Sequence, residues 1–183
     1  LPFSLVNGTS LRAFNYFYYH HLWRPGPVLT HYLPFFYPLD RIEHWNRIYG
    51  RHGFYQYQCV LPKAHQRDAL RALLGEIARD GQGSFLAVLK TFGRIHSGGL
   101  LSFPREGVTL ALDFPNRGEP LLRLFERLDK VVAEAGGALY PAKDARMSGE
   151  MFRRGFPSWA LFQKYRDPGF SSSFWRRVME FKS

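Results

Sequence analysis

From Gly53 onward the chain alternates between two hydrophobic periods. In "GFYQYQCVLP" (53–62) Tyr55, Tyr57, Cys59 and Leu61 form one row and Phe54, Gln56, Gln58 and Val60 the other, the two-residue period of a strand. The next stretch, "KAHQRDALRALLGEIARDG" (63–81), repeats at three and four residues and puts Leu70, Leu73, Leu74 and Ile77 on one stripe of an amphipathic helix. "SFLAVLKTFG" (84–93) reads as a second strand. After the turn-rich "RIHSGGLLSFPRE", "GVTLALDFP" (107–115) reads as a third. "EPLLRLFERLDKVVAEAGG" (119–137) is a second helix, with Pro120 near its first position and Leu121, Phe125, Leu128 and Val132 turned inward. "ALY" (138–140) closes the series as a short strand. The order β-α-β-β-α-β predicts an α+β, ferredoxin-like antiparallel sheet with both helices on one face.

The flanks follow no such alternation. "LRAFNYFYYHHLW" is a ring-rich helix cut by the breaker "RPGP". The apolar "HYLPFFYPLD" leads into "DRIEHWNRIYG", a short helix with Asp40 as N-cap and Gly50 beyond its end. The tail from Met147 is a set of short helices broken at Gly155, Pro157 and "DPG", rich in Phe, Trp and Arg, and such pieces need something to dock on.

Strand alternation separates a helix-covered face from a free one. Giving the apolar rows to the helices leaves Gln56, Gln58, Lys90, Thr109 and Asp113 on the other face, interleaved with Val88 and Phe92. Amides, an ammonium and aliphatic neighbours suit a ligand wall, because the aliphatic groups exclude water and strengthen each polar contact. The bland alternative is a solvated face with a Lys90–Asp113 cross-strand pair. A single-strand RNA platform is disfavoured, since "GVTLALDFP" lacks the aromatics such sheets stack on bases and Asp113 would repel phosphate.

Composition narrows the class. Apolar residues at 45% and aromatics at 17% exclude a disordered polyelectrolyte and allow one domain with a real core in 183 residues. A net charge of +10 suits nucleic acid, anionic headgroups or phosphorylated substrates, or a merely solubilising surface. The single cysteine, Cys59, rules out an internal disulfide and fits a reducing, cytoplasmic setting. It falls on the helix-covered row, where an inert buried thiol is expected. The histidines have no metal-ligand spacing, so no metal site is expected. No apolar run approaches the roughly 18 residues of a membrane span. The start, "LPFSLVNGTS", resembles neither a signal peptide nor a natural beginning, which predicts a fragment or processed product.

"FFYPLDRIEHWNRIYGRHGFYQYQCVLP", "SFLAVLKTFG", "LSFPREGVTLALDFP", "GGALYPAKDAR" and "YRDPGFSSSFWRRV" together resemble the C-terminal part of FAD-linked oxidases of the vanillyl-alcohol oxidase family. The resemblance implies a helical lead-in over 1–52 and the sheet core of a substrate domain over 53–137. It makes 138–183 a return segment that packs on an FAD-binding domain missing from this chain. It implies oxidation of a CH–OH group by hydride transfer to flavin, on a small-molecule or lipid-linked sugar. Lys143 matches a family lysine at the flavin edge, where a cation favours reduction. Tyr140 matches a tyrosine beside it, Gln58 and Gln56 match residues facing flavin and substrate, and Lys90 matches a lysine of the substrate pocket. Tyr37 is placed at the pocket mouth and Thr109 on the substrate wall. Asp144 and Arg146 read as a structural cap and ion pair. Thr109 and Ala111 stand where the oxidases resembled carry Asn and Cys, and no Gly-rich stretch here can cradle an FAD pyrophosphate. The chain alone is therefore expected neither to bind FAD tightly nor to turn over. The other class left open is a non-catalytic ferredoxin-like module for phosphorylated partners or nucleic acid.

Overall fold

The computed structural model describes residues 4–21, 26–37, 43–84, 86–143 and 146–179. Four strands, β1 (Phe54–Pro62), β2 (Ala87–Phe92), β3 (Gly107–Pro115) and β4 (Ala138–Leu139), form one antiparallel sheet in the order β2-β3-β1-β4. Helix α3 (Gln66–Asp80) follows β1, and α4 (Glu119–Glu134) follows β3. The fold is α+β, with the strand order of a ferredoxin-like sheet. The flanks add α1 (Gly8–His21), α2 (Tyr32–Phe36), α5 (Gly149–Gly155), α6 (Trp159–Gln163) and α7 (Ser173–Met179).

The core lies where the periodicity places it. Tyr57, Cys59 and Leu61 of β1 and Leu110, Leu112 and Phe114 of β3 are buried against Leu73 of α3 and Leu121, Leu124, Phe125, Leu128 and Val132 of α4. Burial, with a further push from the Asp129 charge, raises the Cys59 thiol to about 12, so it stays protonated and inert. Leu74 departs from the expected stripe. It is 48% exposed, while Ala69 and Leu73 are buried and Leu70 and Ile77 pack half-buried against the same core. The helix expected from Asp40 is a 3-10 turn over Trp45–Tyr49, ended by Gly50 at φ 74°; Asp40 lies outside the described residues.

Gly107 opens β3 at φ 147°, and a Cβ there would sit 2.0 Å from the Leu61 carbonyl oxygen. Only glycine allows the two strands to approach so closely.

The tail finds a dock on this chain. Met147, Met151, Phe152, Phe156 and Val178 are buried in the same core as the sheet, and Phe152 packs against Phe156, Phe174 and Trp175. A second small cluster of Val6, Leu11 and Tyr49 covers the Phe54 end of β1. Tyr49 stacks on Phe54 with ring centroids 4.5 Å apart.

Candidate functional site

Strand β4 pairs with β1 only at Cys59 and Val60, and the Tyr140 N–H extends the ladder by one bond to the Gln58 carbonyl. Pro141 then lacks the N–H that would continue it, and the chain turns through a 3-10 turn, Pro141–Lys143. The half of β1 from Tyr55 to Tyr57 is left without a neighbour on that side, and a cleft opens there. Its walls include Gln56, Gln58, Tyr140, Lys143 and Arg146. It encloses only about 20 Å³, room for roughly one water, so it is one wall of a site rather than an enclosing ligand pocket.

Past the turn, the chain is anchored to helix α4 at Arg146. Arg146 makes a two-pronged ion pair with Asp129 of α4, Nη1 to Oδ2 at 2.7 Å and Nη2 to Oδ1 at 2.9 Å. Its guanidinium lies 4.9 Å from the Phe125 ring centre, and Tyr57 Oη donates to Asp129 Oδ1 at 3.1 Å. Charge-assisted, geometrically fixed contacts of this kind hold a backbone segment more firmly than a solvated pair does. Lys143 carries its ammonium from the Pro141–Lys143 turn, and its charge opposes the rise that burial gives the pKa of Asp113 on the free face.

On that face the register is β1 against β3, with Gln56 opposite Asp113 and Gln58 opposite Ala111. Gln56 Nε2 donates to Asp113 Oδ1 at 3.0 Å, and Gln58 Nε2 donates to Thr109 Oγ1 at 3.1 Å. Asp113 is 3% exposed, and its Oδ2 is buried with no hydrogen-bond partner among the described residues. Burial raises its pKa above the ordinary carboxylate value, opposed by the Gln56 hydrogen bond and the Lys143 charge. The Tyr49 hydroxyl, which feels the Asp113 charge, is also buried without a partner among them.

Lys143, Tyr140, Gln56 and Gln58 are thus brought into one cleft. Thr109 lies behind Gln58 and is 3% exposed. Lys90 shares the free face but stands on β2 opposite Thr109, exposed and two strands from β1; Asp113 faces Gln56, so the Lys90–Asp113 pair of the bland alternative does not form. Tyr37 is half exposed at the end of α2, its N–H bonded to the Leu33 carbonyl, away from the cleft walls. Asp113 lies on the face to which alternation assigned it, while the buried Tyr49 that feels its charge was not singled out from the sequence.

Over most of its length the chain is similar to part of a longer FAD-linked oxidase. The particular relative is decaprenylphosphoryl-β-D-ribose oxidase of Mycolicibacterium smegmatis, 38% identical over 149 residues, which are 79% of this chain and 32% of that protein. An uncharacterized protein in the mprA 5' region of Streptomyces coelicolor is 35% identical over 131 residues, 69% of this chain and 35% of its own length. The chain spans about a third of the length of these curated relatives. No family model matches it. Among the described residues no helix is long and apolar enough to cross a membrane.

Proposed function

We propose that this chain forms the substrate-side wall of an FAD-dependent oxidoreductase that oxidises a CH–OH group of a sugar or glycosyl phosphate. The observation that carries the reading is the meeting of Lys143, Tyr140, Gln56 and Gln58 in one cleft at the sheet edge. An ammonium beside two amides and a tyrosine ring is a set of polar groups that suits the edge of a flavin where carbonyls lie beside an N–H. The likeness to a ribose oxidase supports the same class.

FAD, when bound, supplies the hydride acceptor. Lys143 would place positive charge at the edge of the ring, and the Arg146–Asp129 pair would anchor the segment that follows it to helix α4. Gln56 and Gln58 orient what lies on the strands, and Tyr140 closes one side against water. Lys90, across the free face, is the cation for a substrate phosphate or the reacting hydroxyl, and Tyr37 belongs to the pocket mouth. The pyrophosphate and most of FAD belong to a domain outside this chain, which makes that domain its first partner. The segment from Ala138 onward presents Leu161, Tyr165 and Phe170 outward, surfaces suited to that partner.

The test is a polypeptide in which the FAD-binding domain precedes this chain. It is expected to purify yellow, and a panel of sugars and glycosyl phosphates is expected to bleach its flavin band without oxygen. Lys143→Ala and Lys90→Ala should each slow that bleaching about a hundredfold, the scale of losing a charge that stabilises the transition state. Normal rates in both variants would sink the assignment. A colourless full-length protein that binds phosphorylated ligands would favour the non-catalytic module instead.

A further inference from the structure

The two glutamines of the cleft are not free to turn. Thr109 Oγ1 donates to the Cys59 carbonyl oxygen at 2.8 Å. A carbonyl only accepts, so the threonine proton is committed there and Oγ1 meets Gln58 as an acceptor. The NH2 end of Gln58 is the only end that suits it, and it donates at 3.1 Å. The carbonyl Oε1 is therefore the end left for the cleft.

The same logic holds one pair along the strand. An ionised carboxylate only accepts, so Asp113 draws the NH2 end of Gln56, at 3.0 Å. Among the described residues neither glutamine Oε1 has a protein donor, and neither is buried. Asp113 is itself sealed in place, with its backbone N–H bonded to Ser84 Oγ at 3.0 Å. Residues two apart on a strand share a face roughly 7 Å apart, so the cleft holds two acceptors of fixed direction next to the Lys143 ammonium.

We propose that Thr109 and Asp113 are positioning residues that lock Gln58 and Gln56 as hydrogen-bond acceptors, so that the cleft takes a ligand edge in which a carbonyl lies beside an N–H. The cation answers the carbonyl and an amide oxygen answers the N–H. Resting on the flavin reading above, the matching ligand edge is the imide edge of the isoalloxazine ring. A flipped amide would instead set an NH2 group against that N–H, donor against donor.

The experiment uses the full-length protein with glutamine side chains labelled by ¹⁵N. In the flavin-free form the Gln58 and Gln56 NH2 signals are expected to exchange slowly with solvent. Thr109→Val should release the Gln58 signal and Thr109→Ser restore it. Asp113→Leu should release the Gln56 signal and Asp113→Asn, which keeps an acceptor, restore it. The flavin-free protein is then titrated with FAD and with FAD methylated at the imide nitrogen. The natural protein is expected to prefer FAD about tenfold, and Thr109→Val to lose most of that preference. NH2 signals that stay protected in Thr109→Val and Asp113→Leu overturn the proposal. So does a preference for FAD that is absent from the natural protein or unchanged in Thr109→Val. If the natural protein takes up no FAD at all, the flavin reading fails, and the NH2 signals alone still decide whether the amides are locked.

Discussion

Asp113 is held in a place that does not suit its charge. It is buried, one oxygen has no partner among the described residues, and its pKa is raised chiefly by that burial. A carboxyl whose folded pKa lies above its unfolded value of about 3.9 stabilises the fold while protonated, and that contribution is lost as pH rises through the folded value. Ionised Asp113 is therefore a cost at neutral pH. Asp113→Asn, which still offers Gln56 an oxygen, is expected to melt above the natural protein at pH 7, with the gap closing as pH falls below about 4. Thermal unfolding across that range checks it, and an Asn variant less stable at pH 7 would refute it. At this scale the sequence told which side chains share the free face, because alternation in a strand is strict. It did not tell who bonds whom. The pairing of Gln56 with Asp113, rather than Lys90 with Asp113, depends on a register that no single strand carries.

Among the elements, two contacts fix the sheet and the segment beside its edge. The first is the approach of β3 to β1 at Gly107, where any Cβ would strike the Leu61 carbonyl and φ is positive. Gly107→Ala is expected to cost more than about 3 kcal/mol, combining backbone strain with a shifted strand. A urea midpoint close to that of the natural protein would contradict the account. The second is the Arg146–Asp129 clamp, whose side chains are 21% and 17% exposed. Removing one partner of a fully buried pair costs about 3–5 kcal/mol, and residual exposure scales this one down to about 2. Asp129→Ala should show that loss together with faster amide exchange in the Pro141–Lys143 turn; an unaffected turn would mean that Lys143 is positioned by something else. The sheet order and all four strands were legible, since each strand is bounded by turn residues and alternates. The edge cleft was not, because it arises from β4 being only two residues long before Pro141, a length that pattern alone does not resolve.

Across the whole molecule the same aromatic surplus is spent in two ways. In α1 only Leu11 is buried, while Tyr16, Phe17, Tyr18 and Tyr19 are all more than half exposed. Contiguous ring surface of this kind marks a contact, which fits a chain that spans about a third of its relatives. The tail differs. Its rings were legible as groups in need of a dock, but the dock itself was not, since the contact of α5 with β4 joins distant parts of the chain. Phe152 is 1% exposed amid Phe156, Phe174 and Trp175, so the tail belongs to this core whatever lies on its outer side. Phe152→Ala is therefore expected to lower the unfolding free energy of the chain by about 3–5 kcal/mol. Replacing Tyr16 and Tyr19 by Ser should leave it within about 0.5 kcal/mol while reducing dye binding to exposed apolar surface. A Phe152→Ala loss below about 1 kcal/mol would mean that the tail is held from outside, and that its packing on β4 adds nothing to the stability of the sheet.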